Sequence, residues 1–128
     1  MIEEDYVSFE TAKLLKERGF DDEYTNAFYD KNGNLYFIDI LSDFSEHPDN
    51  DTDITASTLY MAMKWLREVH KLHIAILWDC GAYIGKNSFY YHIDRMDNYE
   101  DKGYNKIGFD SYEEACKTAI KYCLENLV

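Results

Sequence analysis

The chain has 128 residues, 25 of them acidic and 13 basic, for a net charge of −12 at pH 7; 46% are hydrophobic and 16% aromatic, including 12 tyrosines. A field of that sign repels nucleic acid and anionic membrane and attracts basic surfaces, and so much aromatic and aliphatic material excludes the disordered class. The length fits a single domain, 1–128, able to bury a core without staples.

Ser8 is placed to cap a first helix running through Phe9, Ala12, Leu15 and Lys16, with Val7 as a hydrophobic staple and Gly19 ending it. Aromatic and aliphatic runs at 24–30 and 35–41 flank Lys31-Asn32-Gly33-Asn34, the chemistry of a β-hairpin turn. Residues 42–53 contain no lysine or arginine, the only proline and five acids, and read as a solvated loop. Thr55 or Ser57 can then cap a second helix with Leu59, Ala62, Leu66 and Val69 as its buried face and Met63 beside them. His73 to Asp79 is short, branched and apolar, hence a buried strand.

Gly81 and Gly85 punctuate the turn that follows. Ser88 to Asp94 alternates Phe89, Tyr91 and Ile93 with Tyr90, His92 and Asp94, the period of a strand with one face in the core and His92 on the wet one. A short edge strand is expected around Tyr104-Asn105-Lys106-Ile107. Ser111 and Glu114 form a capping box for a C-terminal helix whose apolar face holds Tyr112, Ala115, Ala119, Ile120, Cys123 and Leu127. The order α-β-β-α-β-β-(β)-α predicts an α+β domain: one antiparallel sheet of four to five strands with three helices.

Cys80, Cys116 and Cys123 are odd in number. The last two lie seven residues apart on one helix, roughly 10 Å between α-carbons and beyond disulfide reach, so reduced thiols are expected. The acidic start Met1-Ile2-Glu3-Glu4-Asp5 is unlike a signal peptide, and no apolar run approaches the roughly 18 residues of a membrane span. A cytoplasmic protein is expected.

The strings VSFETAKLLKERGFD at 7–21, LYMAMKWLREVH at 59–70 and SYEEACKTAIKYCLENLV at 111–128 resemble a family of short, uncharacterised phage- and prophage-associated proteins of gut anaerobic bacteria. The resemblance implies an origin in a mobile element. It brings no activity, cofactor or site residue.

Several chemistries fail on spacing. Asp49, Asp51 and Asp53 open like a calcium loop, but Ile54 stands where a glycine is needed and Tyr60 where a bidentate glutamate belongs. His70 and His73 straddle a helix end and lack a second Cys/His pair at zinc spacing; His70 reads as a cation at a helix C-terminus. Gly81 and Gly85 lack the Lys-Ser or Lys-Thr of a phosphate loop. Tyr83, Phe89, Tyr90 and Tyr91 suit base stacking, yet only Lys86 and Arg95 are nearby to neutralise phosphates. No metal or cofactor is expected.

Two functional classes are left. The favoured one is a non-enzymatic binding protein whose carboxylates engage a basic surface of a partner protein. In its sharpest form it is a nucleic-acid mimic that occupies the groove of a host nuclease or defence effector, as an anti-CRISPR protein would, with Asp43, Glu46, Asp49, Asp51 and Asp53 as contact residues. The other is a small-ligand module or thiol enzyme built on Asp79, Cys80 and His92, because a cysteine needs a nearby base or positive field to become a nucleophile.

Overall fold

The computed structural model describes residues 2–38, 52–81 and 85–128. The chain divides into two compact units, Met1–Thr58 and Leu59–Val128.

In the first unit, helix α1 (Phe9–Glu17) starts where the Ser8 hydroxyl accepts the Thr11 N–H at 3.2 Å, and Val7 before it and Ala12 within it are both buried. Its end is a complete Schellman motif. Gly19, at φ +99°, donates to the Lys16 carbonyl, and Phe20 donates to that of Leu15. Strands β1 (Ala27–Tyr29) and β2 (Leu35–Phe37) form the expected hairpin, with Phe28 opposite Tyr36. The Asp30 carboxylate accepts the N–H groups of Asn32 and Asn34, which bends the chain, and Gly33 takes φ +83° where a β-carbon would lie 2.8 Å from the Phe9 ring.

The first strand run begins at Ala27 instead of Tyr24, because Tyr24 donates its N–H to the Asp22 carboxylate in an Asx turn. A two-residue strand, β3 (Ile54–Thr55), pairs antiparallel with β1 and completes a sheet of order β2-β1-β3. Thr55 therefore does not cap a helix: its backbone is in the ladder, and its hydroxyl bonds Asp21 and Asp22. Val7, Leu15, Ala27, Tyr29, Ile54 and Ala56 form the core of this unit, and the Tyr29 hydroxyl, buried with them, donates to the Val7 carbonyl at 2.7 Å.

The second unit is a meander of β4 (Leu72–Asp79), β5 (Ser88–Arg95) and β6 (Tyr104–Phe109), with β5 central, packed against α2 (Leu59–His70) and α3 (Tyr112–Asn126). Tyr91 and Ile93 are buried as the alternation predicts, and the Tyr91 ring lies 5.8 Å from Phe109 and 6.5 Å from Tyr122 of α3. Ser111 caps α3 by accepting the Glu114 N–H at 3.1 Å. From there Ala115, Cys116, Ala119, Ile120, Cys123 and Leu124 recur at three-and-four spacing as its buried stripe. Cys116 meets Met63 of α2 sulfur to sulfur at 3.5 Å.

Among the described residues the architecture is α+β with three helices, but the expected single sheet of four to five strands is instead two antiparallel sheets of three. Three further expectations change. The run at 73–79 extends to Leu72 and is an edge strand with Trp78 60% exposed, not a buried one, because among the described residues only β5 pairs with it. Val69 is 57% exposed, and the half-buried His70 occupies the last turn of α2 instead, its ring edge-on to Trp65 at 4.6 Å. Tyr112, in the first turn of α3, is 44% exposed.

Candidate functional site

Of the acidic residues expected to meet a partner, Asp43, Glu46, Asp49 and Asp51 lie outside the described residues, as does Tyr83. Asp53 lies directly before β3, half-buried, and its carboxylate accepts the Tyr36 hydroxyl at 2.5 Å. Burial and that negative neighbour push the Tyr36 phenol up to about 12.

Asp79, Cys80 and His92 are not brought together. Asp79 is opposite Ser88 and His92 is opposite Ala75, so Cys80 stands five residues along the strand from the histidine's cross-strand partner, roughly 17 Å at strand rise. Asp79 is buried and accepts the Gly81 N–H at 3.1 Å, whereas Cys80 is exposed. His92 bonds Asp94 at 2.9 Å, and its ring lies against Gly103. All three cysteines are free thiols; burial pushes Cys123 up to about 12, as expected for a packing residue.

Other sequence candidates resolve into structure. Tyr90 projects to the sheet face opposite that of Phe89 and Tyr91, so the tyrosine-rich strand offers no common stacking platform. The Gly85 N–H donates to the Gly81 carbonyl at 3.0 Å, and residues 82–84 between them lie outside the described residues. Among the described residues, no group of three or more His, Cys, Asp or Glu side chains is placed to hold a metal ion. None of the described helices is long and apolar enough to cross a membrane.

The charge itself is unevenly divided. Residues 1–58 contain fifteen acids and four basic residues, net −11, and residues 59–128 contain ten acids and nine basic residues, net −1. The first unit also holds a cavity of about 490 Å³, whose walls are mainly apolar and include Phe28 and Ile38, with Asp21, Glu23 and Tyr24 around it.

The segment between α1 and β1 builds this rim through local hydrogen bonds. Buried Asp22 turns inward, accepting from the Tyr24 N–H at 3.1 Å, while its own N–H meets the Thr55 hydroxyl at 3.4 Å. That hydroxyl donates to Asp21 at 3.2 Å, fixing one carboxylate at the rim. Thr25 anchors the next step by donating to the Ala56 carbonyl at 2.9 Å and accepting the Ala27 N–H. Asp21 and Glu23 remain exposed, and Tyr24 is 90% exposed.

A mainly apolar lining shared with exposed carboxylates and an aromatic ring suits a side chain with an aliphatic stem and a cationic head, as in lysine or arginine. The signal in the sequence was the run Asp21-Asp22-Glu23-Tyr24 after a helix-ending glycine. In so acidic a chain, adjacent carboxylates do not single out a site until the fold sets apolar walls beside them.

In comparisons with known proteins, the chain matches no family model, no curated protein and no solved structure.

Proposed function

We propose that this chain is a non-enzymatic binding protein whose N-terminal unit engages a basic surface of another protein, with a lysine or arginine side chain of that partner entering the acid-rimmed cavity. The observation that carries the reading is the coincidence, within one unit, of a net charge of −11 with an apolar cavity edged by Asp21, Glu23 and Tyr24. Long-range attraction steers the basic partner in, and the cavity then selects the stem and head of one side chain.

Asp43, Glu46, Asp49, Asp51 and Asp53 add to the same field along the chain. A surface carrying that field competes with nucleic acid for basic grooves, which makes a host nuclease or defence effector the natural partner class. The separation of Cys80 from His92 in the β4–β5 register favours this reading over a thiol enzyme.

The test is calorimetric titration of the full chain with oligo-arginine and oligo-lysine peptides at low and high salt. Binding is expected at low salt and is expected to weaken steeply as salt rises. The double variant Asp21→Asn, Glu23→Gln should bind about tenfold more weakly, the combined effect of two partly exposed charge contacts. Binding that is equal in the variant and the native chain overturns the assignment of the cavity; absence of binding at low salt overturns the reading as a whole.

A further inference from the structure

One carboxylate of the N-terminal cavity is set apart from its neighbours by burial. Asp22 lines the cavity and is only 5% exposed, whereas Asp21 and Glu23 on either side of it are exposed. Its Oδ1 accepts the Tyr24 N–H at 3.1 Å. Its Oδ2 accepts no hydrogen bond from any described residue. A carboxylate taken out of water ordinarily has its acceptor positions filled, because each one left empty costs free energy. Here the donor has to come from what enters the cavity.

The threonines of the lining narrow the chemistry of that donor. Thr25 gives its hydroxyl proton to the Ala56 carbonyl, and Thr55 gives its own to Asp21. Both protons are spent within the protein, so neither threonine offers a donor to a ligand, and the carboxylates offer acceptors. That balance suits a group that donates hydrogen bonds and accepts none, the character shared by ammonium and guanidinium.

We propose that the cavity is an arginine pocket, taking guanidinium in preference to ammonium, with Asp22 Oδ2 as its buried acceptor and Asp21 and Glu23 as the charges around it. The proposal rests on the reading of the cavity as the site of a partner's basic side chain and names which side chain that is. Hydration separates the two cations first. Ammonium is a compact, strongly hydrated charge that sheds water at high cost against a mainly apolar lining, while the planar guanidinium is weakly hydrated and its faces stack on aromatic rings. Tyr24 and Phe28 place two such rings in the lining, with Ile38 beside them. Donor number separates them next. A guanidinium has five N–H groups in a rigid fork, so one head group can satisfy Asp22 and still direct hydrogens to a neighbouring carboxylate.

Calorimetric titration of the full chain with oligo-arginine and oligo-lysine peptides of equal length, at one low salt concentration, tests the preference. The arginine peptide is expected to bind about tenfold more tightly. Asp22→Asn keeps an oxygen to accept the Tyr24 N–H and replaces the other with a donor, and should bring the ratio of the two affinities close to one. Tyr24→Ala, at a position 90% exposed, removes one aromatic ring and should lower the ratio roughly threefold. Equal binding of the two peptides by the native chain overturns the arginine pocket and leaves the basic-partner reading standing, whereas absence of binding by either peptide overturns both. An arginine preference that is unchanged in Asp22→Asn also overturns the proposal; should that variant fail to fold, the same result in Tyr24→Ala decides against it.

Discussion

Gly103 holds its place because a β-carbon there would collide with the sheet it adjoins. Its φ is +79°, and the added carbon would sit 2.7 Å from the Ile93 carbonyl oxygen and 2.8 Å from the His92 ring. Gly19 is as left-handed, at φ +99°, but has open space around it. Gly19→Ala should therefore cost only the conformational penalty, about 1 kcal/mol, while Gly103→Ala should cost about 2–4 kcal/mol because strain and displacement of His92 add. Urea unfolding of the two variants checks this, and equal losses would remove the close approach as a cause. Asp30 offers a pH readout at the same scale. N–H donors in the hairpin turn, Asn34 first among them, hold its carboxyl below its ordinary value of 3.8. A depressed carboxylate contributes stability above its unfolded value and loses it as pH falls through the folded one. The amide resonances of Asn32 and Asn34 should thus hold steady down to about pH 4 and shift below it; movement already at neutral pH would contradict the turn geometry. Caps and turn residues such as Ser8, Gly19, Asn32-Gly33 and Ser111 are the part of the fold most legible in the sequence, because each acts through its own backbone neighbours.

Elements were legible where their stability is local and obscure where it is borrowed. The three helices and the β5 alternation follow from spacing that a single element carries. β3 does not: two residues have no periodicity, and Ile54 and Thr55 are a strand only because β1 offers them a ladder and Asp21 and Asp22 engage the threonine hydroxyl. The edge position of β4 was equally hidden, since an apolar run looks alike whether partners lie on one side or on both. On α2, Leu66 is fully buried and Val69 is 57% exposed, although both fit the same three-and-four pattern. Leu66→Ala should therefore cost about 2–5 kcal/mol, and Val69→Lys should change stability by no more than about 0.5 kcal/mol. Thermal or urea melts decide this; a Val69→Lys loss as large as that of Leu66→Ala would return Val69 to the core.

For the whole molecule, the decisive property is that net charge is concentrated in one of the two units. Composition alone reads as a uniformly acidic protein, yet residues 1–58 carry eleven of the twelve net negative charges. The cavity was illegible for a related reason: its acidic rim is contiguous in sequence, but Phe28, Ile38 and Thr55 come from separate segments of the first sheet region. Segregated charge has a thermodynamic consequence. Carboxylates crowded in one unit repel one another in the folded state and less so in the expanded chain, and salt weakens that repulsion over a Debye length of about 10 Å at 0.1 M. The N-terminal unit should accordingly gain stability as sodium chloride rises from low concentration, while the near-neutral C-terminal unit, with its opposite charges interspersed, should respond little. Native-state amide exchange separates the two in one sample: protection of Ala12, Leu15 and Ala27 is expected to increase with salt, and that of Ile93, Ala119 and Ile120 to stay nearly constant. Equal gains in both units would mean that general salting-out governs the response; a loss of protection at Ala12 and Leu15 would mean that attractive ion pairs, not repulsion among carboxylates, dominate the acidic unit.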